Sequence, residues 1–151
     1  MDDFTLNWKG DELKRTIEQN GAKIISEFGL TVEGFAKKEL YRANKKKSLD
    51  KHGVATGTLR RSIHTALKGY NWSGDDVEPA PGTPELGGKS AIPAAENQMT
   101  VQVGSGLKYA MAVNQRLKPH GSFVGYHYMN NGLAKAKAKL PSIIYKYRIT
   151  K

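Results

Sequence analysis

There is no cysteine among the 151 residues. A disulfide framework and a thiolate metal site are both excluded, so the chain must hold its fold by packing alone. No stretch approaches the roughly 20 apolar residues that a membrane-crossing helix requires. The opening Met1-Asp2-Asp3-Phe4 lacks the basic and then apolar layout of a secretion signal. The expectation is a chain made in the cytoplasm, without a membrane partner. The four histidines, His52, His64, His120 and His127, show none of the close spacings of zinc sites. Gly104-Ser105-Gly106 lacks the flanking pattern of a nucleophile elbow. Gly82, Gly87 and Gly88 lie in acidic, proline-rich sequence that would repel a phosphate. Asp75, Asp76 and Glu78 follow no cation-loop pattern. No catalytic, metal or cofactor site is expected, and the chain is expected not to be an enzyme.

Acid is also missing from the last third of the chain. Residues 101–151 carry nine basic groups and no acidic one, a balance of +9. Residues 1–30 balance at −2, residues 31–68 at +7 and residues 69–100 at −4, within a total of +10. Charge in blocks of one sign steers a polyanion or an oppositely charged protein surface. The length fits one domain with a modest core.

The periodicity predicts an α+β domain: a long amino-terminal helix, or two, packed on a small antiparallel sheet, followed by a short helix and a carboxy-terminal helix. Residues 1–10 read as an arm, because Phe4, Leu6 and Trp8 alternate. Residues 11–47 read as helical. Asp11 and Glu12 suit a first turn, and Leu13, Ile17, Ile24, Phe28, Val32 and Phe35 recur at spacings of three, four and seven. Gly29 and Gly34 predict a break near 29–34 into two helices, since each costs about 1 kcal/mol against alanine. Lys45, Lys46 and Lys47 close this segment as a basic patch.

Strands are expected over 57–68 and 98–104. Thr58 could instead cap a helical turn over Leu-Arg-Arg-Ser-Ile, which periodicity in so short a run leaves open. Between them, residues 69–97 hold most of the prolines and five acids, and predict a long mobile loop. A short helix over 106–117 and a helix over 128–140 follow. Pro141 is expected to end or kink the latter, leaving 141–151 as an extended tail.

The stretch on which the chain turns is Thr56-Gly57-Thr58-Leu59-Arg60-Arg61-Ser62-Ile63. It is preceded by Trp8-Lys9-Gly10 and a long helix. After it come Val103-Gly104-Ser105 with Tyr109-Ala110, and then Tyr128-Met129 at the opening of the last helix. In this order the four pieces, spanning nearly the whole chain, resemble the small neck, or tail-completion, proteins of long-tailed bacteriophages. The resemblance implies a virion protein that oligomerises into a ring between the DNA-filled head and the tail. Its neighbours would be head-closure, tail-terminator or tail-tube proteins, with possible lumenal contact with DNA. The candidate interface or lumen residues are Trp8, Gly10, Thr56, Gly57, Leu59, Arg60, Arg61, Ser62, Gly104, Tyr109, Ala110 and Tyr128. The acidic loop of one subunit would meet a basic surface of the next. A second expectation, of another class, is a non-specific nucleic-acid binder using Lys37, Lys38, Arg42, Lys45 to Lys47, Arg60 and Arg61.

Overall fold

Asp11 and Glu12 occupy the first turn of helix α1, Gly10–Lys46, where they complement the positive end of the helix dipole. The computed structural model describes residues 10–46, 58–70, 92–107, 109–115 and 125–148. After α1 come α2 (Thr58–Ser62), β1 (His64–Ala66), β2 (Gln102–Gly104), α3 (Ala110–Gln115) and α4 (Tyr128–Lys146). The architecture is α+β, with α1 packed against both a two-stranded antiparallel sheet and α4.

The expected break at 29–34 does not occur, and Gly29 explains why. A Cβ at this position would lie 2.4 Å from Val101 Cγ2 and 2.8 Å from Thr65 Cγ2. The glycine lets the sheet sit directly on the helix backbone, and that close packing offsets its poor helix propensity. Glu33 adds a second tie, accepting hydrogen bonds from Thr65 Oγ1 at 2.7 Å and from Lys37 Nζ at 2.5 Å.

The expected strand over 57–68 begins with helix instead. Leu59 and Ile63 are both fully buried, and their spacing of four brings them to one side of a helical turn. Ser62 Oγ donates to the Leu59 carbonyl at 2.8 Å and fixes that turn. The strand proper pairs His64 with Gly104, Thr65 with Val103 and Ala66 with Gln102. The second strand is shorter than 98–104 because Asn97 Oδ1 accepts the Met99 N–H at 2.8 Å, which holds residues 97–100 in a turn. The expected mobile loop over 69–97 is fixed at both ends. Tyr70 stacks on His64 with ring centroids 5.4 Å apart, and Ala95 is buried, its N–H donating to the Leu67 carbonyl at 3.3 Å. Residues 71–91 lie outside the described residues. Among the described residues the short helix covers Ala110–Gln115, and residues 116–124 lie outside them.

Helix α4 runs antiparallel to α1 and passes through Pro141 to Lys146, so the expected tail is helical up to that point. Proline removes one intrahelical bond. Burial on both sides of it, of Ala136 and Ile143, holds the helix together nonetheless. The far end is pinned to α1. Lys146 Nζ reaches Glu27 Oε2 at 2.7 Å, Tyr147 Oη donates to the same oxygen at 2.6 Å, and Asn20 Nδ2 donates to the Tyr147 carbonyl at 3.0 Å. The near end is set by Gly132, whose bare Cα faces Ala36; a Cβ there would lie 2.7 Å from the Ala36 nitrogen. Lys135 and Glu39 form an ion pair alongside it.

Candidate functional site

The corner residues gather around one apolar cluster. Leu59 and Ile63 pack with Ala36, Leu40, Leu107, Ala110 and Tyr128, and Val103, Tyr109, Val113, Tyr126 and Met129 border them. Ser62 and Ser105 extend this contact through polar groups. Their hydroxyl oxygens are 2.6 Å apart, and Ser105 Oγ accepts the Leu107 N–H at 3.2 Å. Ser62 uses its only proton on the Leu59 carbonyl, so Ser105 must donate to Ser62. The result is one directed chain, from the Leu107 amide through both hydroxyls to the Leu59 carbonyl. It fastens α2 to the segment after β2. His64 Nδ1 lies 2.8 Å from the Ser62 carbonyl, an acceptor only, so this nitrogen carries the proton.

The other side of the cluster joins α3 to α4. Tyr128, 2% exposed, donates from its hydroxyl to the Ala110 carbonyl at 3.2 Å. Burial, with Tyr109 close by, pushes the Tyr128 phenol up to about 12. Burial also raises Tyr109. Asn114, 7% exposed, caps α4 from outside: its Oδ1 accepts the Met129 N–H at 3.0 Å, and its carbonyl accepts the His127 N–H at 2.9 Å. His127 itself adopts a left-handed conformation and makes no side-chain cap.

Of the residues singled out in the sequence, the structure brings together Leu59, Ser62, Gly104, Tyr109, Ala110 and Tyr128, and gives them packing roles. Arg60 and Arg61 are exposed on α2. Gly10 opens α1, far along the helix from the cluster, and Lys45 and Lys46 end it. Trp8, Thr56, Gly57 and Lys47 lie outside the described residues.

Two surface features were not anticipated. The apolar spacing of α1 continues beyond the region that α4 covers, leaving Leu13 46% and Ile17 55% exposed. On the outer side of α4, Lys137, Leu140, Pro141, Ile144, Tyr145 and Arg148 line an open groove of about 550 Å³. The Arg148 guanidinium lies 3.9 Å over the Tyr145 ring, making a cation–π platform at one end of it. The signal for the first was present in the Leu13-to-Phe35 spacing; the second was hidden by treating Pro141 as a helix end.

Among the described residues, no three histidine, aspartate or glutamate side chains come together as a metal site, and no helix is long and apolar enough to cross a membrane. Comparison with protein-family models, curated proteins and solved structures finds no match to this chain.

Proposed function

We propose that this chain is a structural virion protein of a long-tailed bacteriophage, which works by assembling as a ring in the neck, or tail-completion region, between the head and the tail. The observation that carries this reading is the ordered set of four neck-like motifs, whose central residues Leu59, Ser62, Gly104, Tyr109, Ala110 and Tyr128 belong to one packed unit. Residues used in this way hold a scaffold. What remains for function is the surface, which is blocked in charge and carries exposed apolar side chains on both long helices. Exposed apolar patches bordered by charge are characteristic of interaction sites. A subunit that binds copies of itself through unlike surfaces produces a ring whenever the rotation closes.

Deleting the gene from a phage that carries it tests the proposal. DNA-filled heads and finished tails are expected to accumulate unjoined, and supplying the protein in trans should restore infectious particles. Joined, infectious particles in its absence would refute the neck assignment.

A further inference from the structure

We infer that the amino-terminal end of α1 in one copy docks into the outer groove of α4 in the next copy, making a head-to-tail contact. This deepens the ring reading and rests on it.

Helix α1 has 37 residues and α4 has 19, which correspond to about 55 Å and about 28 Å at 1.5 Å per residue. The contacts of Ala36 with Gly132, Glu27 with Lys146 and Asn20 with Tyr147 set the antiparallel overlap. Residues 10–19 therefore extend about 15 Å past the end of α4. Within that stretch only Gly10 and Thr16 are half-buried, and the rest are exposed.

Leu13 and Ile17 are not scattered surface residues. With Asn20, Ile24 and Glu27 they follow spacings of four, three, four and three, which is one stripe of the helix. Asn20 and Glu27 are the positions that hold the end of α4. The seam that α4 fills from Asn20 onward thus continues toward Gly10, with Leu13 and Ile17 exposed on it. A seam of this kind fits another helix of the same character, and the chain offers one in the exposed face of α4. There Leu140, Pro141 and Ile144 form an apolar floor, with Tyr145 held under Arg148.

The two surfaces cannot meet within one molecule. A continuous helix cannot fold its first turns back around the end of α4 and onto that helix's outer side. The contact must therefore be between copies, and it joins unlike surfaces, so each copy retains one unused end of each kind. Electrostatics favours the same pairing at long range. Residues 10–19 carry Asp11, Glu12 and Glu18 against Lys14 and Arg15, whereas the groove carries Lys137 and Arg148 and no acid. Attraction between such blocks steers the encounter, and the apolar stripe fixes the docked position.

The chain contains no cysteine, so engineered thiols report without interference. Full-length Ile17→Cys and Tyr145→Cys proteins are prepared separately, mixed and oxidised. A crosslinked heterodimer from the mixture, with little product from either protein alone, is expected. In sedimentation velocity, Ile17→Asp and Tyr145→Asp should each weaken self-association by about tenfold or more, while unchanged thermal melts confirm the fold. An equal mixture of the two aspartate variants should stop at a dimer, because one intact surface of each kind remains. Self-crosslinking of either single-cysteine protein as readily as the mixture would overturn the inference. So would crosslinking of Tyr145→Cys to a cysteine placed in residues 69–97 in preference to Ile17→Cys, or a wild-type chain that stays monomeric at its highest soluble concentration. An oligomer untouched by both aspartate substitutions would overturn this contact while leaving the neck reading in place. Joined particles without the gene would remove the neck reading but not the crosslink.

Discussion

Three residues decide how well α4 is held against its neighbours. Gly132 faces backbone, and backbone cannot rotate out of the way of an added Cβ 2.7 Å from the Ala36 nitrogen. Gly132→Ala should therefore lower unfolding free energy by about 1–3 kcal/mol despite alanine's better helix propensity, measured by urea denaturation. Asn114 satisfies the first turn of α4 from a neighbouring helix. Asn114→Ala removes the cap from that half-buried amide and should cost about 1–2 kcal/mol in the same assay. Tyr128 adds a dependence on pH. Its phenol is raised from 10.0 to about 12 in the fold because burial disfavours the phenolate. The unfolded chain ionises first, so stability is complete below pH 10 and falls as pH rises toward the folded value. Tyr128→Phe should flatten that alkaline decline, in a comparison of denaturation midpoints at about pH 9 and about pH 11.

At the scale of elements, α4 carries an internal defect and an ionic latch. Pro141→Ala restores an intrahelical bond and removes a steric conflict, and should stabilise the protein by about 1–3 kcal/mol, read from the denaturation midpoint. At the latch, the Lys146 ammonium and the Tyr147 hydroxyl hold the Glu27 carboxyl below its ordinary 4.5. Its contribution to stability is present above that value and is lost as pH falls through the folded one. Glu27→Gln should reduce the acid sensitivity of unfolding, followed by circular dichroism. These elements differ in how far the sequence disclosed them. The spacing from Leu13 to Phe35 identified α1, because a long helix repeats its signal over many turns. The false break at Gly29 arose because its partner Val101 is distant in sequence and close only in space. Leu59 and Ile63 fit either a strand or a turn until the Ser62–Leu59 hydrogen bond selected the turn. The Ser62–Ser105 link and the Asn114 cap carry no local pattern at all; they exist only once the fold has formed. The groove on α4 depends on a helix continuing through proline, which burial of Ile143 decides and local propensity opposes.

For the whole molecule, one packed cluster joins two long helices, each of which carries exposed apolar side chains. Blocks of opposite charge alternate along the chain. A free, non-specific DNA binder would bind as a single subunit, with affinity falling steeply as salt rises. The assembly account expects DNA affinity to rise with self-association instead, so Ile17→Asp should weaken both together in a fluorescence anisotropy titration. The most direct measurement of the central claim is electron cryomicroscopy of the finished particle at the collar. The account predicts a closed ring of this fold between head and tail, with the amino-terminal turns of each α1 against the α4 of its neighbour. A well-resolved collar in which no subunit has this fold would contradict it.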